Sequence, residues 1–404
     1  MGADKPTSVE NQTDEAPKPM VMGNMNQGSK HMSWMMVVIA VVGALAGLGA
    51  GYLLFKSHTN KNAAPVAVKT YKIGFIGPLT GDVANYGEVM QRGVELAQRD
   101  FSASNINFQI LVRDTQCDPK LAGPAAQELI NAGVVAIIGD TCSGATLAAL
   151  PYANQHKVLI ISPAASSAKL SIADDYFVRT YPTDSHQTVF TTQYMYQKGI
   201  KKLGIIYTNE SYGQGIDTSA TSDFKKQGGT VVSSQPFTSG DVDLQSQLQA
   251  IAAQKPDALY IASNSEASGA AIVTEAKQMG LTIPIYGSDA LKDASFLADV
   301  GKAGEGMTLV AVTPGNRAFL DEYKATYGSV PANATGAQAY DAFMALASAL
   351  QKGNTGAQLL PAVLKEDFQG KSGEVKFDSA GDLAGGGYLV YTIKDGQFSE
   401  VNQQ

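Results

Sequence analysis

Two loops rich in small hydroxyl residues stand where apolar runs give way to helical pattern. One is Gly139-Asp140-Thr141-Cys142-Ser143-Gly144 and the other is Ser162-Pro163-Ala164-Ala165-Ser166-Ser167. A third, Gly77-Pro78-Leu79-Thr80-Gly81-Asp82, leads into Asn85-Tyr86-Gly87. The chemistry such loops offer is anion binding. The first N–H groups of a helix have no partner within it and lie at the positive end of its dipole, so with serine hydroxyls they suit a carboxylate. A lone serine ahead of a helix is more often an ordinary cap. Two such loops on one sheet edge weigh against that for Ser143 and Ser166.

Positioning these loops requires strands that end side by side. Short β-rich runs at 71–77, 107–114, 134–138 and 158–161 alternate with helical patterns at 85–101, 119–132 and 144–156. A second series has strands at 202–207, 230–235, 257–261 and 283–287, with helices at 187–198, 213–227, 244–253 and 267–279. Alternation of this kind predicts parallel sheets with crossover helices, and the continuous apolar strands predict helices on both faces. Two series predict two similar α/β lobes, with ligands bound beyond the carboxyl ends of the strands.

Composition narrows the function. The 404 residues carry a formal net charge of −7 with no clustered basic stripe, which argues against nucleic-acid partners. With four His and two Cys, a metal centre has little to draw on, and no metal or cofactor is expected. No Walker-type phosphate loop, dinucleotide fingerprint, HExxH or GxSxG occurs, and His156 and His186 lack a nucleophile–base arrangement. An enzyme is not expected.

The N-terminal part is compositionally separate. Residues 1–33 are polar and read as a disordered tail. Residues 34–55 hold no charge, long enough for a transmembrane helix, with Gly43, Gly47 and Gly51 on one stripe. A cleaved signal peptide competes for the same run, although its length and the preceding tail favour an anchor. Lys30 before it and Lys56 and Lys61 after it do not settle orientation. Residues 56–70 read as a linker.

In order along the chain, Ile73-Gly74-Phe75-Ile76-Gly77-Pro78-Leu79-Thr80-Gly81, Tyr86-Gly87, Asp114-Thr115-Gln116-Cys117-Asp118-Pro119-Lys120, Cys142-Ser143, Ser162-Pro163-Ala164-Ala165-Ser166, Arg179-Thr180 and Tyr212-Gly213-Gln214-Gly215 form a recognisable set. Over roughly 71–400 the chain resembles the branched-chain amino acid binding proteins of ABC importers, the Leu/Ile/Val-binding type of periplasmic binding protein. The resemblance implies a type I fold of two doubly wound lobes joined by three hinge crossings. One lobe would hold 71–184 plus 313–375 and the other 185–312 plus 376–404. It implies that Ser143 and Ser166 hold a ligand α-carboxylate, that the Ala164 carbonyl and Asp289 hold its ammonium, and that Tyr86 and Tyr212 are cleft aromatics. Desolvated zwitterions need such paired partners.

Where the family offers an aromatic in the second-lobe loop, this chain has Ser263-Asn264-Ser265-Glu266, and Thr335-Gly336 stands where a bulky apolar residue is usual. Asn264 or Thr335 in the pocket would favour a smaller or more polar amino acid, or an amide. Cys117 and Cys142 match half-cystines of the family; free buried thiols are the alternative. A bridge would add about 3 kcal/mol and would place residues 71–404 outside the cytoplasm, tethered by the N-terminal helix. The expected function is delivery of an amino acid, branched-chain or small and polar, to an ABC permease by cleft closure. The alternatives are a sensory ectodomain of the same fold or a binder of an amide or urea-type solute.

Overall fold

The computed structural model of the chain describes residues 68–401 except Ser104 and Gly386. The polar tail, the apolar run 34–55 and nearly all of the linker lie outside the described residues. No helix among the described residues is long and apolar enough to cross a membrane.

Strands β1 (Lys69–Gly77), β2 (Ile106–Asp114), β3 (Ala136–Ile138), β4 (Leu159–Ser162) and β5 (Phe177–Arg179) form a parallel sheet in the order β2-β1-β3-β4-β5. Helices α1 (Ala84–Asp100), α2 (Pro119–Asn131) and α3 (Ser143–His156) make the crossovers. Side chains of β1 alternate between two cores, as a strand covered on both faces must. Ile73 and Phe75 pack in one cluster with Met90 and Val94 of α1, whereas Ile76 joins Leu129 of α2 and Ala149 of α3.

The second sheet is built from β6 (Lys202–Thr208), β7 (Thr230–Phe237), β8 (Ala258–Ala262), β9 (Ile285–Gly287) and β10 (Thr308–Ala311), all parallel. Its helices are α4 (Asp184–Gln197), α5 (Ser211–Lys226), α6 (Gln245–Ala253), α7 (Glu266–Gln278) and α8 (Ala294–Val300). Ile206, Leu259 and Ile261 pack toward α6 and α7, and Leu203, Ile205 and Tyr260 pack toward α5.

The chain then returns to the first lobe. Helices α9 (Arg317–Tyr327) and α10 (Thr335–Gln351) join its core, with Phe343 fully buried and edge-on to Phe108 at 5.1 Å. Truncating Phe343 to Ala would cost about 3–5 kcal/mol. The approach of α1 to α10 depends on glycine, because a Cβ on Gly93 would run into the carbonyl of Gly336. A two-stranded ribbon, β11 (Asp367–Gln369) with β12 (Glu374–Lys376), follows. Finally β13 (Leu389–Lys394) adds antiparallel to β10, and β14 (Gln397–Glu400) pairs with it at the edge.

The chain thus passes between the sheets three times: between β5 and α4, between β10 and α9, and before β13. The last passage comes later than the 375/376 boundary read from sequence. The Arg179 N–H donates to Gly381 at 2.9 Å, and the Arg179 guanidinium binds Asp382, which keeps residues 377–383 on the five-stranded sheet. At the crossings Tyr181, Val310, Val312, Tyr388 and Val390 form their own small core, and Tyr388 donates toward the carbonyls of Pro182 and Thr183.

Candidate functional site

A cavity of about 670 Å³, counting its open mouth, lies between the carboxyl ends of the two sheets. Its wall includes Tyr86, Ser143, Ala164, Ser166, Tyr212, Asn264 and Asp289, together with Thr141, Cys142 and Tyr181. The structure therefore brings all seven residues singled out from the sequence to one place. They come from six separate loops or helix starts.

The first-lobe wall is held from behind by Asp140 and Arg179. Asp140 is fully buried; one carboxylate oxygen accepts from the Cys142 N–H at 2.9 Å and the other from the Thr115 hydroxyl. Burial, only partly offset by these donors, raises its carboxyl to about 6. Its backbone carbonyl takes the Ser162 hydroxyl at 2.7 Å, and that oxygen accepts the Ala165 N–H at 2.8 Å. The disulfide Cys117–Cys142, with Cα atoms 5.5 Å apart, ties the loop after β2 to the start of α3.

Helix α3 begins at Ser143 with Cys142 as its N-cap, and no side chain caps it. Its first N–H groups are therefore left for something outside the helix. The Ser143 hydroxyl oxygen accepts the Ser167 N–H at 3.2 Å, which leaves its proton for another acceptor. In the neighbouring loop the carbonyls are apportioned. Arg179 Nη1 donates to Ala165 at 3.0 Å and Ser167 at 2.9 Å, and the Asp184 N–H donates to Ser166 at 2.9 Å. The Ala164 carbonyl, at the cavity wall, receives no such donor.

Across the cavity Asp289 follows β9 and is 8% exposed. Tyr212 donates to its Oδ1 at 2.7 Å and Tyr181 to its Oδ2 at 2.7 Å. Burial, then the charge of Asp289, pushes both phenols well above their ordinary range, so they remain donors at neutral pH. None of the ion pairs among the described residues includes Asp289. Tyr212 is placed by α5, whose N-cap Glu210 accepts from the Tyr212 and Gly213 N–H groups.

Two polar residues differ in what they have left to offer. The Thr335 hydroxyl is spent on Asn333 Oδ1 at 2.7 Å and lies 3.3 Å from the Tyr86 carbonyl. Asn264 has a buried Oδ1 without a partner. Lys292 also touches the cavity, but its ammonium rests 4.3 Å from the centre of the Tyr391 ring. Tyr181 was not singled out from the sequence. The Pro182 that follows Tyr181 marks the end of β5 and the first crossing, which was the available signal.

Known proteins match this chain along most of its length. The periplasmic binding protein family model matches residues 70–397. A leucine-, isoleucine-, valine-, threonine- and alanine-binding protein of Pseudomonas aeruginosa is 25% identical over 93% of this chain and 100% of its own. A leucine-binding protein of Thermotoga maritima superposes with a TM-score of 0.77 at 27% identity, covering 82% of this chain and 98% of that one. A branched-chain amino acid transporter substrate-binding protein of Streptococcus pneumoniae, in complex with isoleucine, gives 0.74 at 26%, covering 82% and 99%. The chain belongs to the periplasmic binding protein family and has its type I fold.

Proposed function

We propose that this protein captures an amino acid in the interlobe cavity and hands it to an ABC importer as the lobes close and open. One observation carries the reading. Asp289 is a buried carboxylate held by two tyrosine hydroxyls with no cation paired to it among the described residues, and it faces an uncapped helix N-terminus across the same cavity. A buried charge without a partner is costly, so the site calls for a cation from the ligand. An α-ammonium meets Asp289 and the Ala164 carbonyl; the α-carboxylate meets Ser143, Ser166 and the N–H groups of α3. Tyr86 and Tyr212 close the ends. The relatives, binders of leucine, isoleucine, valine, threonine and alanine, agree in ligand class.

The ligand side chain lies among Val83, Val312, Ala334 and Asn264. With its amide oxygen unspent, Asn264 favours a small side chain able to hydrogen-bond over a large branched one. The lobes comprise 71–184 with 313 to about 385, and 185–312 with the remainder. The disulfide fits an oxidising compartment outside the cytoplasm, with residues 34–55 as the tether. No chemical step is assigned, and the protein is a carrier rather than an enzyme. Calorimetric titration with threonine, alanine, leucine and asparagine tests the reading. Saturable one-to-one binding of at least one supports it, and silence from all four, with a folded protein, removes it.

A further inference from the structure

Beyond the ligand groups, a second set of polar side chains spans the lobes. Asn85, on the first turn of α1, donates through Nδ2 to Asp293 Oδ2 at 2.9 Å and to Glu266 Oε1 at 3.3 Å. Asn333, just ahead of α10 in the same lobe, donates to Asp293 Oδ2 at 3.0 Å. The Ala294 N–H reaches the Ala332 carbonyl at 3.2 Å, and the Tyr86 hydroxyl donates to the Ala290 carbonyl. Asp293 is fully buried and Glu266 is 5% exposed. Two carboxyls of the second lobe are thus brought against two amides of the first.

Neither carboxyl takes part in an ion pair among the described residues, and the adjacent Lys292 lays its ammonium on Tyr391 and Phe398. The Asn85 amide oxygen is buried without a donor. A proton on either carboxyl removes the like-charge repulsion and supplies a donor to this set. We infer that Asn85, Asn333, Glu266 and Asp293 form a latch that holds the lobes closed when the two carboxyls carry a proton, and slackens when both ionise.

The groups around the latch agree in sign. Burial first, then the charges of Asp293 and Asp299, raises the Glu266 carboxyl to about 7, and burial raises Asp293. From α1, Tyr86 stays a neutral phenol beside Glu266, Asp293 and Asp289. Lys292, next to Asp293 in the chain, is lowered to about 8 by burial, so it too loses charge as pH climbs. Opening the cleft returns Glu266 to water and to an ordinary carboxyl value. The folded, closed form therefore binds the proton more tightly than the open one, and closure is favoured below about 7 and lost above it.

This rests on the lobe-closure reading but not on which solute is bound, so it is tested without ligand. Spin labels on cysteines introduced at Leu121 and Val242, exposed positions on opposite lobes, report the interlobe distance in the full chain; the native cysteines are bridged. Between pH 6 and pH 8 the closed-to-open ratio is expected to fall by about tenfold. Glu266→Gln should remove most of that dependence and keep the lobes closed at pH 8. Asn85→Ala should lower the closed fraction at pH 6. A ratio that does not change with pH, or one that changes equally in Glu266→Gln, overturns the latch. Amino acid binding could survive either result, so this failure is distinct from failure of the proposed function.

Discussion

Tyr181 donates to Asp289 across 2.7 Å, from the first crossing between the lobes to the loop after β9. The contact joins the hinge to the acid that faces the cavity. Under the proposed function, a ligand group that recruits the Asp289 charge would act on the segment about which the lobes turn and so couple capture to closure.

Replacing Asp289 by Asn keeps the size and removes the charge. Amino acid affinity should fall by about 2–5 kcal/mol, because the ammonium loses its ionic partner. Tyr212→Phe removes one hydrogen bond to a charged group and should cost about 1.5–3 kcal/mol. Calorimetry on both variants checks this; wild-type affinity in Asp289→Asn would take the acid out of the site.

Under the proposed function the Ser143 hydroxyl serves the carboxylate common to all ligands, so Ser143→Ala should weaken every ligand that carries a free carboxylate, and by similar factors. Side-chain preference should be unchanged. A variant that loses one amino acid and keeps another would place Ser143 beside the variable part of the ligand instead.

Arg179 is fully buried and pairs with Asp382 through Nε at 2.7 Å. Arg179→Met leaves that carboxylate without its partner and should destabilise the protein by about 3–5 kcal/mol in urea unfolding. Adding Asp382→Asn should recover part of the loss, because the two changes share one interaction. Simple additivity would contradict this.

Asp184 sits at the start of α4 with both carboxylate oxygens buried, and the Ser166 hydroxyl nearby favours its ionised form only weakly. Burial, then the charge of Asp289, raises it from an ordinary value of 3.8 to about 8. The unfolded chain releases this proton first, so the stability contributed by Asp184 is full below about 4 and is lost as pH rises toward 8. Asp184→Asn should therefore stabilise the protein more at pH 8 than at pH 5, read from urea midpoints. An equal shift at both pH values would show that Asp184 keeps its charge when folded.

The parts legible from sequence share one property: their signal is local. Apolar runs such as 158–161 and the hydroxyl-rich turns after them fix strands and strand ends, so Ser143 and Ser166 could be named from the loops alone, whereas Ala164 and Asp289 were named through the resemblance to the binding-protein family. The three-residue strand Phe177–Arg179 is too short to carry a period. Asn85 and Asp293 are 208 residues apart in the chain and are ordinary loop and helix-start residues until the lobes meet. Thr335 could be placed at the cavity, yet only the fold shows its hydroxyl is already spent on Asn333. The last crossing was misplaced because Asp382 is held by Arg179 in a distant segment, which no local pattern reveals.

The most direct measurement compares an amino acid that binds with its 2-hydroxy acid counterpart, by calorimetry, on the wild-type protein and on Asp289→Asn. Only the ammonium differs between the two ligands. The wild type should prefer the amino acid by about a hundredfold, the equivalent of roughly 3 kcal/mol, and the preference should collapse in the variant. Equal affinity for both ligands in the wild type would contradict Asp289 as the ammonium partner and, with it, the amino acid reading of the cavity.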